Sequence, residues 1–189
     1  MRIVETKVYK FDELTEEGKR KAIEKNCYIN VDYDWWDAVY EDAERIGLKI
    51  TEFDLDRRRY AKGKFVGSAL DTANEIIKEH GEHCETFKTA KDYLEEYKKL
   101  VVQQCQDEAD LLCQPLDYDK YFGRIYYPEE YYSQDEIDTE DIDAEFLQSL
   151  CEDYSIMLQK EYEYLTSEEA IIETIEANDY EFTENGELI

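Results

Sequence analysis

The sequence predicts an α+β domain in which a small, mainly antiparallel sheet packs with several helices. Three observations predict it. β-rich segments lie near both ends and in the middle of the chain, apolar residues recur at helical spacing between them, and seven glycines and two prolines leave little room for long linkers. At 189 residues, 42% hydrophobic and 14% aromatic, the chain can bury a core, and residues 1–189 read as one domain. A formal charge of −27 and a mean hydropathy of −0.77 pull toward the disordered class. The periodicity and the aromatic content outweigh them.

The elements follow in order. RIVETKVYKF (2–11) alternates as the N-terminal strand, and a helix is expected from about Thr15 to Asn26. Gly18 inside that helix costs about 1 kcal/mol relative to Ala. VDYDWWDAVYEDAERIG (31–47) predicts a helix with Asp32 or Asp34 at its start and Gly47 at its end; Trp35, Val39, Ala43 and Ile46 form its stripe. LKITEFDLDRRRY (48–60) and KGKFVGSA (62–69) predict a central hairpin, with the turn near Arg57 to Lys62. Segments 70–81 and 86–113 read as helices, the second ended by Pro115. Residues 115–136 read as a tyrosine-rich acidic excursion or loop without periodicity. A long acidic amphipathic helix is then expected from about Ile137 to Leu165, because Ile142, Phe146, Leu150, Tyr154 and Leu158 step by four, with Leu147, Cys151 and Met157 widening the stripe. Thr166 and Glu169 have capping-box spacing for a further helix, and Asn185-Gly186 predicts the turn of a C-terminal hairpin.

Charge is distributed unevenly. Residues 1–105 carry 23 acids and 19 bases, a net of −4; residues 106–189 carry 26 acids against Lys120, Arg124 and Lys160, a net of −23. A field of that sign repels phosphate and argues against direct binding to DNA, RNA or an anionic membrane. The five cysteines form no CxxC pair and read as reduced thiols of a cytoplasmic protein. No apolar run approaches the roughly 18 residues of a membrane span, and Met1-Arg2 is followed by an alternating segment rather than an apolar run, so no signal peptide is expected.

Each candidate for chemistry meets a plainer explanation. Asp141, Asp143 and Glu145 alternate like calcium ligands, but Phe146 stands where an EF-hand loop needs glycine. His80, His83 and Cys84 lack a second cluster to complete a zinc site, even with Cys113, and Gly81 suggests a helix end where His80 meets the negative dipole terminus. Asp54 and Asp56 share a strand face and could hold Mg²⁺ as a nuclease pair. The adjacent Arg57, Arg58 and Arg59 favour cross-strand ion pairs instead. Those arginines, with Lys62 and Lys64, form the one basic cluster, a grip for a nucleic-acid backbone or an acidic protein surface, or else a solvated turn paired to the acidic half in cis or in a dimer; the overall field, which opposes phosphate, favours the turn. No glycine-rich phosphate loop or nucleophile elbow is present, so neither a catalytic residue nor a cofactor or metal is expected.

The acidic half offers a better-supported reading. DEIDTEDIDAEF places acids at 135, 136, 138, 140, 141, 143 and 145. Carboxylates four apart on a helix lie about 6 Å apart along the axis, close to the spacing of phosphates on one DNA strand. Asp135, Glu136, Asp138, Glu140, Asp141, Glu145, Glu152 and Asp153 can therefore imitate a phosphate track before a protein with a basic groove. Tyr126, Tyr127, Tyr131 and Tyr132, which have no helical spacing to make them core, suit the same interface.

VYKFDELTEEGKRKAIEKN, NVDYDWWDAVYEDAERIGLKITEFDLDRRRY and EYEYLTSEEAIIETIEANDYEFTENGELI resemble a family of small acidic proteins from phages and mobile elements of Gram-positive bacteria. That resemblance covers nearly the whole chain except about 103–135, and the pattern is also similar to an anti-CRISPR type acting on type II RNA-guided DNA nucleases. It implies a non-enzymatic counter-defence inhibitor in the host cytoplasm that binds a DNA-targeting nuclease. It transfers no individual contact residue. The alternatives are an antirestriction DNA mimic, a metal-dependent nuclease using Asp54 and Asp56, and a host-regulatory or assembly protein. The oligomeric state stays open.

Overall fold

A computed structural model of the chain describes residues 7–112 and 138–189. It is an α+β protein with six α-helices among those residues and two antiparallel two-stranded sheets. The excursion expected over 115–136, with Asp135, Glu136 and its tyrosines, lies outside the described residues. The chain divides into two compact units, one of residues 1–39 and 157–189, the other of residues 40–156.

In the first unit, strand β1 (Tyr9–Lys10) pairs with β4 (Glu181–Phe182), joining the two ends of the chain. Helix α1 (Glu16–Lys25) starts where the Thr15 hydroxyl accepts from the Gly18 amide. Its partner α6 (Glu168–Ala177) is capped the same way by Ser167, so the cap falls one residue beyond the predicted Thr166. Phe11, Leu14, Ala22, Ile171, Ile175 and Phe182 form the buried core, and each large side chain there contributes roughly 1.5–3 kcal/mol. The C-terminal hairpin turns at Gly186, whose φ is +73°, and Phe182 bridges to Leu188. That turn rests on α1. A Cβ on Gly186 would meet the Gly18 carbonyl oxygen and the Ala22 nitrogen at 2.6 Å, and one on Gly18 would meet the Glu184 carbonyl oxygen at 3.1 Å. The glycine that weakens α1 by propensity is thus what lets the hairpin approach it.

Helix α2 (Asp37–Arg45) begins later than its sequence predicts. Residues 26–31 and 35–36 form turns with a bend at 32–33 between them, Val31 N–H bonding to Tyr28 O and Asp37 N–H to Asp34 O. Asn and Asp favour such turns over helix interiors, so the run from Asn26 to Asp34 delays the helix. Gly47, at φ +83°, ends it as expected.

The second unit holds the central hairpin, β2 (Leu48–Asp54) with β3 (Tyr60–Phe65), in which Leu48 and Ile50 are buried. Helix α3 (Ala69–Glu79) follows a Ser68 cap, and α4 (Glu85–Leu112) packs against it. Helix α5 (Glu140–Leu165) returns with the predicted stripe inward: Phe146, Leu150, Tyr154 and Leu158 are all buried, and Ile142 is half-buried.

Candidate functional site

The first turns of α5 are set by Thr139. Its carbonyl accepts from the Asp143 amide at 2.8 Å, and its hydroxyl donates to Asp143 Oδ2 at 2.9 Å. Asp143 also accepts from the Tyr93 hydroxyl of α4 at 2.7 Å, so this carboxylate is turned inward. Asp138, Glu140, Asp141 and Glu145 remain exposed, and among the described residues no Lys or Arg lies within ion-pair range of them. Acids in the first turn favour the positive end of the helix dipole, which offsets their mutual repulsion.

Beside them α4 and α5 enclose a shallow cavity of about 160 Å³. Tyr93 and Phe146 stack on its floor at 4.4 Å and 18°, with Phe65 on Phe146 at 5.6 Å. Asp92 and Glu96 of α4 line it together with Glu145 of α5. The acidic surface is therefore built from two helices. Sequence reasoning missed Asp92 and Glu96 because Lys91, Lys98 and Lys99 neutralise their neighbourhood in a charge count. The i, i+4 spacing of Asp92 and Glu96 was the available signal.

Two predicted site acids sit differently. Glu152 accepts from Arg59 Nη2 at 2.7 Å. Asp153 is half-buried and accepts from the Thr89 hydroxyl at 2.7 Å. Burial pushes its carboxyl above the ordinary value, and Glu85 and Glu152 push the same way, while Thr89 and Lys88 oppose them. Arg59 thus joins the basic hairpin to the acidic helix in cis, while Arg57 and Arg58 are exposed without an ion pair among the described residues. Asp54 does not pair with those arginines. Its Oδ1 accepts from the Asp56 amide at 2.8 Å and shapes the turn. The cross-strand ion pair of the hairpin is Glu52–Lys62 at 2.9 Å, with the Tyr60 hydroxyl also on Glu52.

A polar cluster that the sequence did not reveal sits under α5. The hydroxyl of fully buried Tyr154 donates to Asp42 Oδ2 at 2.9 Å, and Arg45 and His80 lie 3.4 and 3.6 Å from the same carboxylate. His80 Nδ1 shares a hydrogen bond with Thr86 Oγ1 at 2.7 Å. Burial, then the charge of Asp42, hold the Tyr154 phenol far above its ordinary value. This cluster closes α2, α3, α4 and α5 around one buried phenol. His80 stands at the end of α3, as its Gly81 neighbour implied. His83 and Cys84 are exposed, and Cys113 lies outside the described residues. Among the described residues no three His, Cys, Asp or Glu side chains converge as a metal site.

Comparison with known families, with characterised proteins and with solved structures finds no match to this chain. Among the described residues no helix is long and apolar enough to cross a membrane.

Proposed function

We propose that the protein is a non-enzymatic counter-defence inhibitor of the phage type, acting in the bacterial cytoplasm by occupying the DNA-binding groove of a host DNA-targeting nuclease. A type II RNA-guided effector is the target this reading favours. The observation that carries it is the set of uncompensated carboxylates at Asp138, Glu140, Asp141 and Glu145, extended by Asp92 and Glu96 across the α4–α5 cavity. A groove built to neutralise phosphates draws much of its affinity from several cations at once, and a folded polyanion competes for them. The association is steered by the net charge of −27 and is fast at low salt. An antirestriction role is the same chemistry directed at a restriction enzyme.

The test is a cleavage assay with a guide-loaded type II effector and, in parallel, a restriction endonuclease, each titrated with the protein before DNA is added. Inhibition that excess DNA relieves supports the reading. Unimpaired cleavage by both enzymes at saturating protein rejects it.

A further inference from the structure

The first unit carries a second surface, chemically distinct from the acidic face of α5. It begins with Asn30, which is buried although it lies in a run of turns. Its Nδ2 donates to the Leu165 carbonyl at the end of α5 at 3.0 Å, and its Oδ1 accepts from the Thr174 hydroxyl at 2.7 Å. The ring of Trp35 lies 5.6 Å from that of Tyr162 and 5.7 Å from that of Trp36. These contacts fix residues 28–36 against the last turn of α5.

What that fixed segment shows to solvent is unusual. Tyr33 is 67% exposed, Tyr28 58% and Tyr164 54%, although a phenol ring gains by burial. Asp32, Asp34 and Asp37 alternate with the rings and are exposed, and among the described residues no cation pairs with them. Residues 26–37 contain no Lys or Arg, and the last turn of α5 contains no basic residue to offset the negative end of its dipole. Exposed rings on this anchored loop, in a negative field, disfavour phosphate and anionic lipid headgroups. They fit a planar cation that stacks on an aromatic face while pairing with carboxylates. That cation is guanidinium.

We propose that the 28–37 loop and the end of α5 form a docking surface for an arginine-bearing segment of a partner protein, with Tyr33 and its neighbouring aspartates as the receiving groups. Cation–π stacking distinguishes this surface from a purely Coulombic one, because a lysine of equal charge stacks less well and holds its water more tightly. The proposal does not rest on the DNA-groove reading and stands or falls separately.

Both tryptophans of the chain lie in this loop, so their emission reports on it directly. The experiment titrates the whole protein with oligoarginine and with oligolysine of equal length, following tryptophan emission. Oligoarginine is expected to shift the emission at a concentration roughly threefold or more below that of oligolysine. A Tyr33→Ser, Asp34→Asn variant, which touches only exposed side chains, is expected to abolish that preference while its melting temperature is unchanged. An Asp141→Asn, Glu145→Gln variant is expected to keep it. Equal response to the two peptides, or a preference that survives Tyr33→Ser, Asp34→Asn, would overturn the proposal.

Discussion

Arg59 of the central hairpin holds Glu152 of α5 at 2.7 Å through Nη2, and its Nε donates to Ser155 Oγ at 3.1 Å. One arginine therefore removes one carboxylate from the outward acidic set. The pair is partly exposed, so Arg59→Ala is expected to lower unfolding free energy in urea by no more than about 1 kcal/mol. The same change unmasks Glu152 and is expected to speed association with a basic partner at low salt, measured by stopped-flow.

Asp153 gives a pH dependence of defined sign. Its folded-state carboxyl is raised above the ordinary value, chiefly by burial, so the folded protein binds the proton more tightly than the unfolded chain. Its contribution is then most favourable below the ordinary carboxyl value and is lost as pH rises through the raised one. Asp153→Asn keeps an acceptor for Thr89 and removes the buried charge. The variant is expected to melt at a higher temperature than the parent at neutral pH, with the difference vanishing in acid.

Tyr154 tests the buried cluster. Tyr154→Phe leaves Asp42 without its hydroxyl donor and is expected to cost about 1.5–3 kcal/mol in urea unfolding. In alkaline spectrophotometric titration of the parent, this phenol is expected to stay protonated well above the ordinary tyrosine range and to ionise only with unfolding.

Gly186→Ala forces an L side chain into positive φ and against the backbone of α1. A loss of more than about 1 kcal/mol is expected, read as a drop in melting temperature. The amides of residues 181–189 are expected to lose hydrogen-exchange protection first.

Much of this was legible in the sequence. The stripe Phe146–Leu150–Tyr154–Leu158 gave α5 and its buried face, and alternation at Leu48–Ile50 gave the hairpin. Local pattern was sufficient there because burial of a periodic stripe decides the element. Other features required knowledge of which segments meet. Whether Glu152 faces water depends on Arg59, 93 positions away, and neither residue's neighbours in sequence signal the other. Asp92 and Glu96 join the acidic surface only because Tyr93 stacks on Phe146 and brings α4 beside α5. The late start of α2 was a local misreading. The spacing of Trp35 and Val39 suggested helix, and the turn preference of Asn30, Asp32 and Asp34 prevailed.

The central claim is that the carboxylates of α5 and α4 stand in for phosphates. Its most direct measurement is the salt dependence of affinity for a guide-loaded type II effector, for the parent and for Asp141→Asn, Glu145→Gln. For the parent, log affinity is expected to fall steeply and linearly with log salt. The double variant is expected to bind more weakly at low salt, with a slope shallower by up to about one per neutralised carboxylate. Binding that is independent of salt, or a double variant that matches the parent in both affinity and slope, would contradict the account.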